Sequence, residues 1–259
     1  MSAGFSHSIH QLRHRNEVQR MHSVYTKMAR PLLVMILLFV VTATTNAKEI
    51  KPEQVESAYD VVVYGGASGG IAAALQAKRM GKTVLLIEPG SHLGGLSSGG
   101  LGATDIGNKA AIGGIAREFY RALGTHYSQS EAWVYQKAAD YKSRRKNNHE
   151  AEMWTFEPHV AEATFDKMLA DQSVPVLKHQ RLDLKQGVQK QQARIASIKM
   201  ESGLVIKGKM FIDATYEGDL MAAAGVSYHV GRESNATYGE TLNGIQTRNA
   251  VHHQFVKPV

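Results

Sequence analysis

The stretch YDVVVYGGASGGIAAALQAKRMGKTVLLIE, residues 59–88, decides the fold. Residues 60–64 are a short, largely β-branched run that fits a buried parallel strand. Gly65, Gly66, Ala67, Ser68, Gly69 and Gly70 then turn the chain, and Ile71, Ala74, Leu75 and Lys78 mark one face of a helix that stops at Gly81. Residues 83–87 form the next strand. Glu88 stands at its end, about 20 residues beyond the turn. Strand, glycine turn, helix, strand and terminal acid in this register make a dinucleotide-binding βαβ unit, with Glu88 as acceptor for ribose hydroxyls.

Each residue type in the turn has a physical task. A pyrophosphate sits on the backbone N–H groups of a helix N-terminus, and glycines keep side chains out of its way. Against the G-x-G-x-x-G pattern, the first and third glycines are Gly65 and Gly70, while Ala67 occupies the second position. A left-handed Ala67 would cost about 1–2 kcal/mol, with freedom at Gly66 and Gly69 as compensation. The competing reading is an ordinary glycine-rich strand–helix turn.

Working outward, the 259 residues suit one or two globular domains. The formal charge of +7 is concentrated at the N-terminus, where residues 1–47 hold Arg13, Arg15, Arg20, Lys27 and Arg30 against Glu17. The mildly basic remainder gives no footprint for nucleic acid. The absence of cysteine excludes disulfides, thiolate metal sites and cysteine-bound iron–sulfur clusters within this chain. No metal site is expected: there is no H-E-x-x-H, and His252 and His253 fall in an irregular tail.

Residues 32–41 are unbroken apolar, preceded by Lys27 and Arg30 and followed by Thr45, Asn46 and Ala47, so that 1–47 reads as an N-terminal extension and secretory signal peptide cleaved after Ala47. Translation is expected to start at Met21 or Met28. The expected destination is outside the cytoplasm, periplasmic or secreted, with membrane association only if this segment is left uncleaved. Residues 48–57 read as a polar linker, and 58–259 as one domain with a helical insertion at about 105–172.

Pro89 opens a loop, 89–102, that contains six glycines, among them Gly94 and Gly95 ahead of Leu96. Such a backbone can approach a ligand closely, and successive N–H groups can form an anion-binding concavity. The insertion reads as three helices: one carrying Ile115, Phe119 and Leu123, a second at about 131–141, and a third from Pro158 with Val160, Phe165 and Leu169 apolar. From 174 the pattern turns to β: 174–177, 182–184, 194–200 and 203–207, then a return strand at 210–215. A helix opens near Asp219, where a carboxylate favours the N-terminus.

Four segments together resemble the secreted bacterial FAD-dependent oxidoreductases of the glutathione-reductase-type flavoprotein superfamily, relatives of the flavin subunit of heterodisulfide reductase. They are YDVVVYGGASGGIAAA (59–74), EPGSHLGGLSSGGLG (88–102), WTFEPHVAE (154–162) and FIDATYEGDLMAAAG (211–225). The resemblance implies an α/β fold: a Rossmann-like FAD/NAD(P)-binding parallel sheet with an antiparallel β-meander. It implies FAD as cofactor, its pyrophosphate cradled by Gly65, Gly66, Ser68, Gly69 and Gly70, its adenosine ribose held by Glu88, and its flavin approached by Gly94, Gly95 and Leu96. Leu182 maps to the segment whose backbone contacts the adenine. Ala214 and Thr215 match a turn that passes near the dinucleotide, although the usual following glycine is Tyr216 here.

The superfamily closes its FAD site with a later C-terminal segment, so the resemblance also implies that this chain is a fragment or a damaged gene product. The expected function is hydride transfer from a small organic substrate to FAD, with an unidentified electron acceptor. The alternatives are a truncated FAD-binding fragment without turnover, and a secreted carbohydrate-active enzyme, such as a lyase, on the same fold; an NAD enzyme is a lesser variant. No catalytic base is assigned; His92 and His159 are candidates by their place in the chain.

Overall fold

The computed structural model describes residues 46–143 and 150–243. All but the last two residues of the segment read as a signal peptide, 1–47, and the end of the tail lie outside the described residues. Seven strands form one sheet in the order β1-β4-β3-β2-β7-β6-β5. They are β1 (Lys48–Glu49), β2 (Tyr59–Tyr64), β3 (Val84–Ile87), β4 (Pro175–Leu177), β5 (Val188–Gln191), β6 (Arg194–Lys199) and β7 (Val205–Asp213). The first five positions in that order pair in parallel, and β7, β6 and β5 form the antiparallel meander.

β2 is the centre. Its residues pair with β3 from Val61 against Val84 to Tyr64 against Ile87, and with β7 from Tyr59 against Gly208 to Tyr64 against Asp213. Helix α1 (Ser68–Arg79) makes the crossover from β2 to β3. It stops where Met80 caps it and Gly81 takes φ +75°, the left-handed exit that glycine adopts without a Cβ penalty.

Strand alternation distributes the core to two faces. Val63, Val84, Leu86 and Val176 face a cluster that includes Ile71, Ala74 and Leu75 of α1. The same cluster takes Phe119 and Leu123 from α2 (Gly114–Tyr127), and Phe165 and Leu169 from α3 (Pro158–Asp171). Phe119 and Phe165 stack with ring centroids 4.1 Å apart, joining the two helices. On the other face, Val62, Tyr64, Leu85, Ile87 and Leu177 meet Leu182, Ile198, Met200 and Ile206 of the meander, and Leu220 of the short helix α4 (Asp219–Ala223). All four residues of β3 are buried because each face of the strand has a cover, the burial behind a continuous apolar run.

Four expectations are corrected. Residues 48–57 do not form a plain linker: Lys48 and Glu49 add an edge strand to β4, and Ile50 is buried. Residues 131–141 form no α-helix, only two 3-10 turns at Ser130–Ala132 and Ala138–Asp140. The meander segment read at 203–207 and the return strand read at 210–215 are one strand, β7, whose first part pairs with β6 and whose second part pairs with β2. The segment 182–184 is not a strand; Leu182 makes a single bridge to Met200, and the meander's outer strand is β5.

Candidate functional site

The glycine turn, Glu88, the start of the 94–98 loop and the turn after β7 converge at the C-terminal ends of β2, β3 and β7. Gly65 leaves β2 with φ +105°, and its N–H donates to the Ile87 carbonyl at 2.8 Å. A Cβ on it would lie 2.6 Å from the Ala214 carbonyl carbon and 2.7 Å from the Thr215 nitrogen. The first glycine of the motif is therefore needed for contact with the second chain segment. Gly70 serves a similar end: its added Cβ would stand 2.0 Å from the Gly65 oxygen, so helix and turn touch backbone to backbone.

Ala67, which departs from the glycine pattern, carries no left-handed strain. Its backbone is extended, at φ −65° and ψ 167°, and it caps α1. It bridges to Gly94, and the Gly94 N–H donates to the Gly66 carbonyl at 2.8 Å. The 94–98 loop is thus fastened to the glycine turn by backbone alone.

Glu88 sits where β3 ends. One carboxylate oxygen accepts from the Gly66 N–H at 2.7 Å and the other from the Gly90 N–H at 2.6 Å. Both bonds fix the group, and each carboxylate oxygen retains acceptor capacity for a hydroxyl. Pro89 follows, half-buried, between Glu88 and the Gly90 amide. Ile71 makes the first bond of α1, donating to the Ala67 carbonyl at 2.9 Å. The N–H groups of Ser68, Gly69 and Gly70 precede it and have no carbonyl one turn back to meet. A Cβ on Gly69 would meet nothing within 4 Å. This is an anion cradle beside a hydroxyl acceptor, which together suit a nucleotide's pyrophosphate and ribose.

Gly95 takes φ +55° and opens a 3-10 turn; Leu96, half-exposed, donates its N–H to the Tyr216 hydroxyl at 2.8 Å. Tyr216, in place of the usual glycine, thereby holds the loop. Asp213, at the end of β7, organises that segment: it accepts from the Thr215 N–H and hydroxyl at 3.0 and 2.7 Å, and from the Met221 N–H at 2.8 Å. Thr215 in turn accepts from the Gly218 N–H at 2.9 Å. An acid at a strand end with a threonine two residues on is the available sequence signal for such a turn.

Leu182 is buried, and its N–H donates to the Tyr64 hydroxyl at 2.9 Å. It reaches the cradle only indirectly, since the Gln180 N–H donates to the Glu88 carbonyl and the His179 N–H to the Gly90 carbonyl. Burial pushes the Tyr64 phenol up. His92 is exposed and pairs with Glu162 at 3.0 Å, and Glu162 also accepts from the Leu93 N–H; that pair ties the loop to α3. His159 is exposed on the first turn of α3.

The family model for FAD dependent oxidoreductase matches residues 60–257. One component of the anaerobic glycerol-3-phosphate dehydrogenase from Vibrio cholerae is 33% identical over 96 residues, which cover 37% of this chain and 20% of that one. The match thus spans about a fifth of the relative's length. Among solved structures, L-proline dehydrogenase from P. horikoshii aligns at 15% identity over 69% of this chain and 59% of its own, with a TM-score of 0.46. An L-amino acid deaminase from Proteus vulgaris, lacking its specific insertion, aligns at 15% identity over 75% and 63%, with a TM-score of 0.47. The open helix N-terminus at Gly69 and the anchored Glu88 carboxylate fit the dinucleotide that the family binds. The chain belongs to the FAD dependent oxidoreductase family, and its cofactor is FAD.

Proposed function

We propose that this protein oxidises a small organic substrate by hydride transfer to FAD, and passes the electrons to a separate acceptor. The observation that carries the reading is the convergence of the α1 N-terminus, Glu88 and the Gly94 bridge in one place, within a chain of this family. FAD supplies the redox chemistry when bound. The chain's own part is to hold and orient. The N–H groups of Ser68, Gly69 and Gly70 would receive the pyrophosphate, Glu88 would accept from the adenosine ribose, and the loop at Gly94, Gly95 and Leu96, held by Tyr216, would line the approach to the ring. The glutathione-reductase-type lineage, and export through the segment at 32–41, belong to the same proposal; cell fractionation tests the export.

The test is the visible spectrum of purified protein after FAD is added and excess is removed, followed by anaerobic mixing with amines, alcohols, sugars and hydroxy acids. Retained flavin is expected, with a melting temperature that rises with FAD; about 2.7 kcal/mol is gained at a hundred times the dissociation constant. Bleaching by one donor class supports turnover. Retained flavin that no donor bleaches favours a binding role without turnover, and flavin lost on gel filtration removes the basis for the site.

A further inference from the structure

The insertion between β3 and β4 holds a cavity of about 310 Å³ with aromatic walls and one charged group. Tyr127, Trp133 and Tyr141 succeed one another along it. Ring centroids are 5.6 Å apart in the first pair and 5.1 Å in the second, with planes inclined by 59° and 52°. The polar end of each ring is anchored to protein. The Trp133 indole N–H donates to the Tyr127 carbonyl at 2.9 Å, and the Tyr141 hydroxyl bonds the Thr155 hydroxyl. The Tyr127 hydroxyl donates to a Glu157 carboxylate oxygen at 3.0 Å and accepts from the Glu157 N–H at 2.9 Å. Burial pushes the Tyr127 phenol up to about 12, so it stays protonated as that donor.

Glu157 is the single charged residue of the lining, and among the described residues no cation pairs with it. A carboxylate beside a largely apolar cavity favours a positive ligand, and aromatic faces attract the same sign through their quadrupoles. A hard metal ion is a poor occupant, because it requires several oxygen ligands where this wall supplies rings. A weakly hydrated organic cation satisfies both features, and the volume lies at the small end of the range for ligand sites.

We propose that this cavity binds an organic cation bearing an alkylated ammonium group, seated among the rings of Tyr127, Trp133 and Tyr141 and neutralised by Glu157. The site shares no residue with the FAD cradle, and it goes beyond the oxidoreductase reading without resting on it. Gly102, the last residue of the glycine loop, also lines the cavity, and its carbonyl accepts from the Phe156 N–H at 2.8 Å.

The test is isothermal titration of the full chain, with FAD added, against choline and against 3,3-dimethylbutanol, its neutral isostere. Circular dichroism confirms that each sample is folded. Choline should bind saturably, at least about tenfold more tightly than the isostere. Glu157→Gln keeps an acceptor for Tyr127 and removes the charge, and should cut that preference about tenfold. Absence of saturable choline binding, equal binding of the isostere to the wild type, or a preference unchanged in Glu157→Gln would each overturn the proposal.

Discussion

Gly70→Ala tests whether the glycine turn is built for backbone contact. The added Cβ would stand 2.0 Å from the Gly65 oxygen, against the 3.4 Å at which ordinary contact begins, a deficit of 1.4 Å. Both atoms that crowd the site, the Gly65 carbonyl and the Ala214 Cβ at 3.0 Å, belong to short rigid segments rather than to flexible side-chain ends. The N-terminus of α1 must therefore withdraw from the sheet. Overpacking of this kind costs about 1–3 kcal/mol, and alanine returns up to about 1 kcal/mol of helix propensity. The net expectation is a loss of about 1–2 kcal/mol, or about 2–8 °C in melting temperature for a chain of this size. Gly69→Ala, one residue earlier, is the control. Its Cβ would meet nothing within 4 Å and its φ lies outside the left-handed range, so it should be neutral or stabilising by up to about 1 kcal/mol. Thermal melts and urea midpoints of the cofactor-free proteins measure both. FAD titration of Gly70→Ala should also show about a tenfold loss of affinity, since one charge-assisted hydrogen bond misplaced by helix withdrawal costs about that much. A Gly70→Ala variant that melts with the wild type would refute the close-approach argument. Equal losses at both positions would show that the turn needs glycine for its flexibility instead.

Three further outcomes are expected. Glu88→Gln keeps one acceptor oxygen but turns an amide NH₂ toward the Gly66 or Gly90 N–H, so it should lose about 1.5–3 kcal/mol of stability together with FAD affinity; unchanged values in denaturation and titration would sink the assigned role. Asp60 of β2 clips β7 and the residue that precedes β3, accepting from Lys209 at 2.7 Å and from the Thr83 N–H and hydroxyl at 2.9 and 3.0 Å, and the Lys209 ammonium above all holds its carboxyl well below the usual range. A depressed folded pKa contributes stability that is present above the unfolded value of about 3.9 and lost as pH falls; Asp60→Asn should be the less stable protein at pH 7, with the gap closing below about pH 4 in melts across that range. Tyr216→Phe removes the acceptor for the Leu96 N–H, and exchange of that amide, followed by NMR, should quicken about 2- to 10-fold.

What was legible in the sequence follows from how local the cause is. β2, α1 and β3 were readable because β-branched runs, glycines and a helical stripe act within about 30 residues of one another, and the same holds for Glu88 at the strand end. The outer meander strand, β5, was not: only Val188 of Val188–Gln191 is apolar, and polar residues suit an exposed edge. Lys48 and Glu49 hid the other edge in the same way. Lys207, Gly208 and Lys209 look like a break, yet Gly208 is small because a Cβ there would press within 2.8 Å of the Val62 side chain. At 131–141 the aromatic residues Trp133 and Tyr141 serve a cavity wall and not a helix stripe, so periodicity misled. The anchoring roles of Tyr64 and Tyr216 were beyond reading, since their partners Leu182 and Leu96 lie 118 and 120 residues away.

Sheet order explains why such distant residues meet. β2 has β3 on one side and β7 on the other, so chain leaving β2 crosses to one side while chain from the meander returns on the other. Parallel strands that diverge in this way leave a crevice beyond their C-terminal ends, where ligands settle. Gly65, Glu88 and Ala214 are the residues with which these three strand ends continue, and Gly65 lies so close to the Ala214 backbone that a Cβ there would have no room. The cradle at Gly65, Glu88 and Ala214 is therefore a consequence of strand order, whereas the cavity at Tyr127, Trp133 and Glu157 is lined by the segment between β3 and β4, Gly102 of the glycine loop included. None of the residues lining that cavity is among those of the proposed FAD cradle, so the two can vary separately.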